Sequence, residues 1–127
     1  MGGSVIRATG LSCVLLAAIG SQASASVCVV PKYRTLANQT VQGNMFVVSG
    51  KRCSVVSLIT AGPTFGPRVL QQPAHGRISI EGQRVVYVSR PGYVGEDSFV
   101  FAHDGLDTLN KPRTNTTEMH VQVSEHL

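Results

Sequence analysis

The feature that most constrains the fold of this chain is a short-range alternation of apolar and polar residues. Arg77–Ile80 and Gln83–Val88 alternate in this way, and Glu81–Gly82 between them is a signal for a tight hairpin. A period of two is typical of half-buried β-strands, and it also places Phe99 and Phe101 on one strand face. No helical stripe of useful length occurs outside the N-terminal segment, so the pattern predicts an all-β domain.

Turn-forming residues divide the middle of the chain into further short strands. Met45–Val48 and Cys53–Ile59 flank Ser49–Arg52, an arrangement that predicts a hairpin. Ala61–Pro67 contains two prolines and two glycines, and it is therefore predicted to be a loop. Arg68–Gln72 follows as a short strand.

The C-terminal part of the chain adds turns, a polar stretch and one more strand. Arg90–Gly92 and Gly95–Asp97 are predicted turns, and Asp104–Asn115 is a polar stretch expected to form a loop. Thr116–Val123 alternates as the last strand. With about seven or eight short strands at this spacing, we expect an antiparallel β-sandwich with Greek-key-like connections.

The first 25 residues have the composition of an export signal. They carry a single charged side chain, an apolar run over Leu11–Ile19, and the small-x-small cleavage pattern Ala23–Ala25. The run is too short to span a bilayer core of ~30 Å. We therefore expect residues 1–25 to be a cleaved secretory signal peptide. Residues 26–127 would then form one domain, periplasmic or secreted.

Three cysteines become two once the signal is removed, because Cys13 lies within its apolar run. That position is also wrong for a lipid-anchored cysteine. Cys28 and Cys53 remain, and an even pair in an exported domain is most often a disulfide. A redox-active or metal-binding pair is the alternative, but the spacing is unlike C-x-x-C. We expect a structural disulfide between the two.

A series of short motifs in the second half of the chain matches a known domain family. The motifs are Gln72–Gly76, Val85–Tyr87, Pro91–Phe99 and Asp104–Gly105. In residues and spacing, Val69–Val123 resembles bacterial immunoglobulin-like domains of the cadherin-like tandem-repeat kind, found in large surface and adhesion proteins. The resemblance implies an immunoglobulin-like antiparallel β-sandwich of about seven or eight strands.

The residues that carry the resemblance are expected to serve the fold rather than chemistry. Gly76 is predicted to permit a backbone turn, and Pro91–Gly92 suits a turn with positive φ at its second central residue. Tyr93 is expected to pack on the core with its hydroxyl reaching the backbone, while Asp97 and Ser98 accept hydrogen bonds from loop amides. The full set of structural motif residues is Pro73, His75, Gly76, Tyr87, Pro91, Gly92, Tyr93, Gly95, Asp97, Ser98 and Phe99.

No catalytic, cofactor-binding or metal-binding residue is assigned from the sequence. A nucleophile elbow of the G-x-S-x-G type is missing from the chain. One alternative is a small metal-dependent envelope enzyme using His103, Asp104 and His120. Calcium binding by loop acids also stays open, with Asp104 and Asp107 as one pair and Glu96–Asp97 as another, although no D-x-D-x-D series is present.

Charge is distributed unevenly along the chain. Ser26–Arg90 carries eight basic residues and one acidic residue, whereas Pro91–Leu127 carries two basic and six acidic residues. Arg77 and Arg84 flank the predicted hairpin and are candidates for a basic patch. With few aromatic residues to stack bases, nucleic acid is a poor candidate partner.

These observations favour a binding protein over an enzyme. We expect a non-catalytic exported module that binds a protein or polysaccharide of the cell envelope, in an adhesion or interaction role. The Ala61–Pro67 and Asp104–Asn115 segments are the predicted contact loops. A purely structural envelope component is the remaining alternative.

Overall fold

The structure of the chain, a computed structural model, describes residues 26–56 and 63–127. The predicted signal peptide, residues 1–25, lies outside the described residues. No described residue belongs to a helix, so the predicted all-β class is confirmed. The described strands are β1 (Cys28–Val29), β2 (Thr40–Val48), β3 (Cys53–Val55), β4 (Thr64–Gln71), β5 (Gly76–Glu81), β6 (Arg84–Ser89), β7 (Gly95–Leu106) and β8 (Pro112–Ser124).

The strands form two sheets. One has five strands in the order β1-β2-β8-β7-β4, and the other has three in the order β3-β6-β5. Neighbouring strands are antiparallel except β2 and β8, which run parallel from Thr40 opposite Thr116 to Val48 opposite Ser124. Two sheets around one core are consistent with the predicted β-sandwich.

The hydrophobic core is built from the inward-facing residues of both sheets. Phe99, Phe101 and Met119 extend from the five-stranded sheet, and Val85 and Tyr87 extend from the three-stranded sheet. None of the five is more than 1% exposed. The shared face predicted for Phe99 and Phe101 is confirmed, because alternate residues of a strand point the same way.

The predicted β5–β6 hairpin is present. Glu81 lies opposite Arg84, so only Gly82 and Gln83 form the loop, and Gly82 has a φ of 65°. A two-residue loop with positive φ matches the right-handed twist of the paired strands. This local turn sets the register that places Ile78 and Tyr87 opposite each other in the core.

The predicted hairpin around Ser49–Arg52 is wrong. β2 belongs to the five-stranded sheet and β3 to the three-stranded sheet, so this segment connects the two layers. Its backbone is held from both sides, because the Ser49 N–H donates to the Ser124 carbonyl oxygen at 2.9 Å and the Gly50 N–H donates to Ser89 Oγ at 2.9 Å. Period-two patterning gives the buried face of a strand but does not identify its sheet.

The Ala61–Pro67 loop prediction is also wrong in the part that is described. Residues 57–62 lie outside the described residues, but β4 begins at Thr64 and therefore includes Pro67. β4 is the last strand of its sheet, and its register against β7 shifts between Thr64 and Pro67, where Gly66 has a φ of 103°. Proline and glycine are tolerated at such an irregular edge, since proline donates no ladder hydrogen bond there.

The Asp104–Asn115 loop prediction fails for a different reason. β7 continues to Leu106 and β8 starts at Pro112, so only residues 107–111 connect them. Arg113 and Asn115 face inward and are 4% and 6% exposed. Because these buried positions of β8 hold polar residues, the sequence of the strand resembles that of a loop. Similarly, Gly95–Asp97 begins β7 rather than forming the predicted turn.

The predicted disulfide is confirmed. Cys28 of β1 is bonded to Cys53 of β3, with their Cα atoms 5.2 Å apart. Because β1 pairs with β2 in the five-stranded sheet, the bond joins one sheet to the other. Cys53 is 1% exposed and belongs to the hydrophobic core.

Candidate functional site

Asp97 lies at the centre of the motif residues. Its carboxylate accepts hydrogen bonds from the Tyr87 hydroxyl at 2.7 Å and from three backbone N–H groups, those of Ala74, His75 and Ser98, at 3.0–3.1 Å. Asp97 is 9% exposed, and four donors compensate for the burial of its charge. Ser98 differs from the prediction, because its N–H donates here and its hydroxyl is not the acceptor. The carboxylate thus ties the β4–β5 connection to β6 and β7.

Tyr87 completes this arrangement from the interior. Its ring is fully buried and lies 5.8 Å from the ring of Phe99. Burial, and then the hydrogen bond to Asp97, raise the pKa of Tyr87 above its ordinary range, so the phenol remains a donor. The Tyr87 hydroxyl therefore anchors the fold and offers no proton for acid–base chemistry near neutral pH.

The β6–β7 connection contains the turn predicted from Pro91–Gly92. The Tyr93 N–H donates to the Arg90 carbonyl oxygen at 3.1 Å, and Gly92 has a φ of 86°. The Tyr93 hydroxyl donates to the Glu96 carbonyl oxygen at 2.6 Å, while its ring packs on the core. The Tyr93 ring also stacks on the His75 ring, with ring centroids 4.1 Å apart.

Two motif glycines are required because neighbouring atoms leave no room for a side chain. Gly76 lies in β5 and has no positive φ, so the turn predicted for it is wrong. A Cβ there would lie 2.5 Å from the Val88 carbonyl oxygen and 2.9 Å from the Tyr87 ring. Gly95 has a φ of 143°, and a Cβ there would lie 2.9 Å from the Tyr93 hydroxyl oxygen. Both glycines allow the core tyrosines to lie against the backbone.

The residues of the alternative enzyme are not brought together. His103 and His120 lie on neighbouring strands, but His103 is buried and faces inward, whereas His120 is exposed on the outer face of the sheet. Asp104 points outward and is bound by Arg68 at 2.6 Å and Thr114 at 2.7 Å, and these hydrogen bonds lower its pKa. Histidines on opposite faces of a sheet cannot share one metal ion.

Two further acids considered for calcium, Asp97 and Asp107, are likewise engaged by donors. Asp97 is enclosed by N–H and O–H groups, and Asp107 accepts the N–H groups of Leu109 and Lys111 at 2.8 and 2.9 Å. Across residues 26–56 and 63–127, no group of three or more acidic, histidine or cysteine side chains is arranged to hold a metal ion. Asp97 and Asp107 therefore bind backbone N–H groups.

His103 is a buried titratable group within the domain. It is 2% exposed, and its Nδ1 has no hydrogen-bond partner in the described structure. Burial lowers the pKa of His103 below its ordinary value of 6.5, and the charge of Arg113 lowers it further, while Asp104 acts in the opposite direction. His103 is therefore neutral in the folded protein at neutral pH.

This burial predicts acid destabilisation. Below a pH of about 6.5 the unfolded chain binds a proton at His103 more readily than the folded chain, so we expect the free energy of unfolding to fall as the pH decreases further. Urea unfolding over a pH series measures this dependence. His103→Gln should flatten the profile, whereas His126→Gln, at an exposed position, should preserve it. An unchanged profile in His103→Gln would contradict the assignment.

The outer face of the three-stranded sheet is strongly basic. Arg77 and Arg84 alternate with the inward residues of β5 and β6, so both project from this face, as do Arg52 before β3 and Arg90 after β6. We call these four residues the arginine face. The predicted basic patch of Arg77 and Arg84 is therefore present and larger than expected, since sequence analysis did not include Arg52 or Arg90.

One ion pair crosses this face. The Arg52 guanidinium contacts both carboxylate oxygens of Glu81 at 2.7 Å, and the register places Val86 between the two partners. Val86 consequently is only 2% exposed although it points away from the core. Arg84 donates to Ser54 Oγ at 3.4 Å. Both partners of the ion pair are exposed, so its contribution to stability is small.

A groove opens where the arginine face reaches the end of β6. Its volume is about 490 Å³, and its walls include Arg52, Arg77, Arg90, Ser79, Val88 and Pro91. Arg90 is oriented by a 3.1 Å contact between its guanidinium and His75 Nδ1. The walls of the groove combine apolar side chains with guanidinium and hydroxyl donors, which suits an anionic ligand.

Comparison with known proteins supplies no template for this site. No protein-family model, curated protein or solved structure matches the chain. In the part of the chain that is described, no helix is long and apolar enough to cross a membrane. Function must therefore be inferred from the chemistry of the described surface.

Proposed function

We propose that residues 26–127 form an immunoglobulin-like domain of the cadherin-like kind. The strand orders support this assignment: β3-β6-β5 corresponds to strands B, E and D of that fold, and β4-β7-β8 corresponds to C, F and G. The position of Tyr93 between β6 and β7 also corresponds to the tyrosine corner at the start of strand F.

The domain is exported and acts in the periplasm or outside the cell. The disulfide between Cys28 and Cys53 supports this location, because such bonds persist in oxidising compartments. The signal-like composition of residues 1–25 gives independent support.

Its function is to bind an acidic protein or polysaccharide of the cell envelope without catalysing a reaction. The observation that carries this proposal is the arginine face, on which four arginines share one sheet surface with Glu81 as their acidic neighbour. Clustered charge of one sign steers and holds an oppositely charged partner. We place the binding surface on this face rather than on the predicted contact loops, since the Asp104–Asn115 segment is largely strand.

Binding to a generic polyanion tests the proposal. We expect the oxidised protein to bind dextran sulfate but not neutral dextran, and to release it as salt is raised. Arg77→Gln/Arg84→Gln should weaken this binding roughly tenfold or more, since hydrogen bonds to charged groups are lost. Isothermal titration calorimetry measures both affinities.

A control variant removes the same charge elsewhere. Arg34 and Lys111 are exposed. Both lie near the start of β8 in the five-stranded sheet, because Thr35 accepts a hydrogen bond from Asn115 and Lys111 directly precedes Pro112, whereas the arginine face belongs to the three-stranded sheet. Arg34→Gln/Lys111→Gln should therefore bind nearly as well as the wild type. Equal losses in the two double variants would show that net charge, and not the arginine face, determines binding.

A further inference from the structure

The groove on the arginine face has the dimensions of a ligand site. Its volume of about 490 Å³ lies within the range of small-molecule pockets, which are roughly 300–1,000 Å³. Val88 and Pro91 provide apolar surface, and the Ser79 hydroxyl lies beside them. A flat electrostatic surface would require none of these features, so the groove indicates recognition of a shaped group that carries the charge.

Arg77 supplies the cationic group for such a ligand. Its side chain is exposed and makes no hydrogen bond or ion pair with any other described residue. By contrast, Arg52 is paired with Glu81, and Arg90 contacts His75. A guanidinium offers five N–H donors in a planar fork that matches a carboxylate or phosphate.

The neighbouring sheet edge disfavours a peptide as the occupant. β5 is an edge strand, where an extended acidic segment would gain affinity by backbone pairing. The Gln72 side chain occupies the middle of this edge at Ile78, since its Oε1 accepts the Ile78 N–H at 3.0 Å and its Nε2 donates to the Ile78 carbonyl oxygen at 3.5 Å. A ligand of the groove therefore meets side chains rather than a free backbone ladder.

We propose that this groove binds an acidic sugar unit of an anionic polysaccharide, with Arg77 bound to its carboxylate or phosphate. This inference rests on the proposed function and names the ligand class for it. Val88 and Pro91 contact the apolar side of the sugar ring, and Ser79 hydrogen-bonds to a ring hydroxyl. Arg84, on the same face but outside the groove, attracts further acidic units of the polymer without contacting this sugar.

The test compares polymers that carry equal charge on different backbones. Oligogalacturonate presents carboxylates on sugars, a phosphorylated oligomannan presents phosphates on sugars, and oligo-L-glutamate of matched charge presents carboxylates on a peptide. We expect at least one acidic saccharide to bind about tenfold more tightly than oligo-L-glutamate, because only the saccharide also packs a ring against Val88 and Pro91. Amide NMR shifts at Ser79 and Val88 should locate this ligand in the groove.

Two single variants separate the groove from the wider face. Arg77→Gln should weaken saccharide binding roughly tenfold, and Arg84→Gln should weaken it no more than about threefold, since only Arg77 bonds directly to the acid. Equal affinity for the peptide and saccharide polymers, or equal losses in the two variants, would overturn the sugar site while leaving polyanion binding intact. Failure to bind dextran sulfate would instead overturn the proposed function itself.

Discussion

Replacing Asp97 by asparagine is expected to lower the free energy of unfolding by about 3 kcal/mol, because hydrogen bonds to a buried charged group are among the stronger polar contributions. The carboxylate accepts four hydrogen bonds, from Ala74, His75, Ser98 and Tyr87. An amide group replaces one acceptor oxygen by a donor, which would face other donors and leave them unpaired. Urea unfolding of the oxidised domain measures the loss.

The adjacent acid provides a matched control. Glu96 is exposed, and the hydrogen bond that it makes to Tyr93 uses its backbone carbonyl oxygen, which Glu96→Gln preserves. We expect Glu96→Gln to change the free energy of unfolding by no more than about 0.5 kcal/mol, as for ordinary surface substitutions. If Asp97→Asn were as mild as Glu96→Gln, the proposed anchoring of the β4–β5 connection by this carboxylate would be wrong.

Features that depend on neighbouring residues were predictable from the sequence. The two-residue loop between β5 and β6, the buried faces of Phe99 and Phe101, and the turn at Pro91–Gly92 all follow from local alternation and turn chemistry. The disulfide followed from the two cysteines that remain once residues 1–25 are taken as a signal peptide. The turns and buried faces are determined by interactions between residues close in sequence. The disulfide needed no knowledge of the fold, because only two cysteines were available to pair.

Features set by long-range pairing were not predictable. β2 lies parallel to β8, more than 70 residues away in the chain, and alternation in β2 is compatible with either sheet. The buried polar residues of β8, Arg113 and Asn115, made its first half look like a loop because their partners come from other segments. Arg113 Nε donates to the Leu106 carbonyl oxygen of β7 at 3.1 Å, and Asn115 Nδ2 donates to Thr35 Oγ1 at 3.0 Å.

In the candidate site, too, the local features were predictable from the sequence and those set by long-range pairing were not. Arg77 and Arg84 could be placed on one face from the hairpin register alone. Arg52 joins them only because β3 pairs with β6, a strand of the β5–β6 hairpin that follows β3 by some thirty residues. Most of the groove lies within the Gly76–Pro91 segment, which the hairpin register brings together, whereas the wall that Arg52 forms depends on the pairing of β3 with β6.

Removing the disulfide is expected to destabilise the domain by roughly 3–4 kcal/mol on the chain-entropy account, given the loop that it closes. The bond spans a sequence separation of 25 residues and joins the five-stranded sheet to the three-stranded sheet. Cys28→Ala/Cys53→Ala frees that loop in the unfolded chain and removes the link between the layers. Urea unfolding measures the change, and the denaturant m-value should rise because the unfolded chain becomes more expanded.

The reduced wild-type protein separates the cross-link from the packing of its atoms. Cys53 is 1% exposed within the core, so alanine also removes a buried sulfur atom there. Reduced wild-type protein keeps both sulfur atoms, and its loss of stability therefore reports the cross-link alone. If reduction cost less than about 1 kcal/mol, the loop would be ordered in the unfolded state, contrary to the chain-entropy account. A loss of roughly 3–4 kcal/mol on reduction would instead show that a domain of this size depends on the cross-link for a large part of its stability.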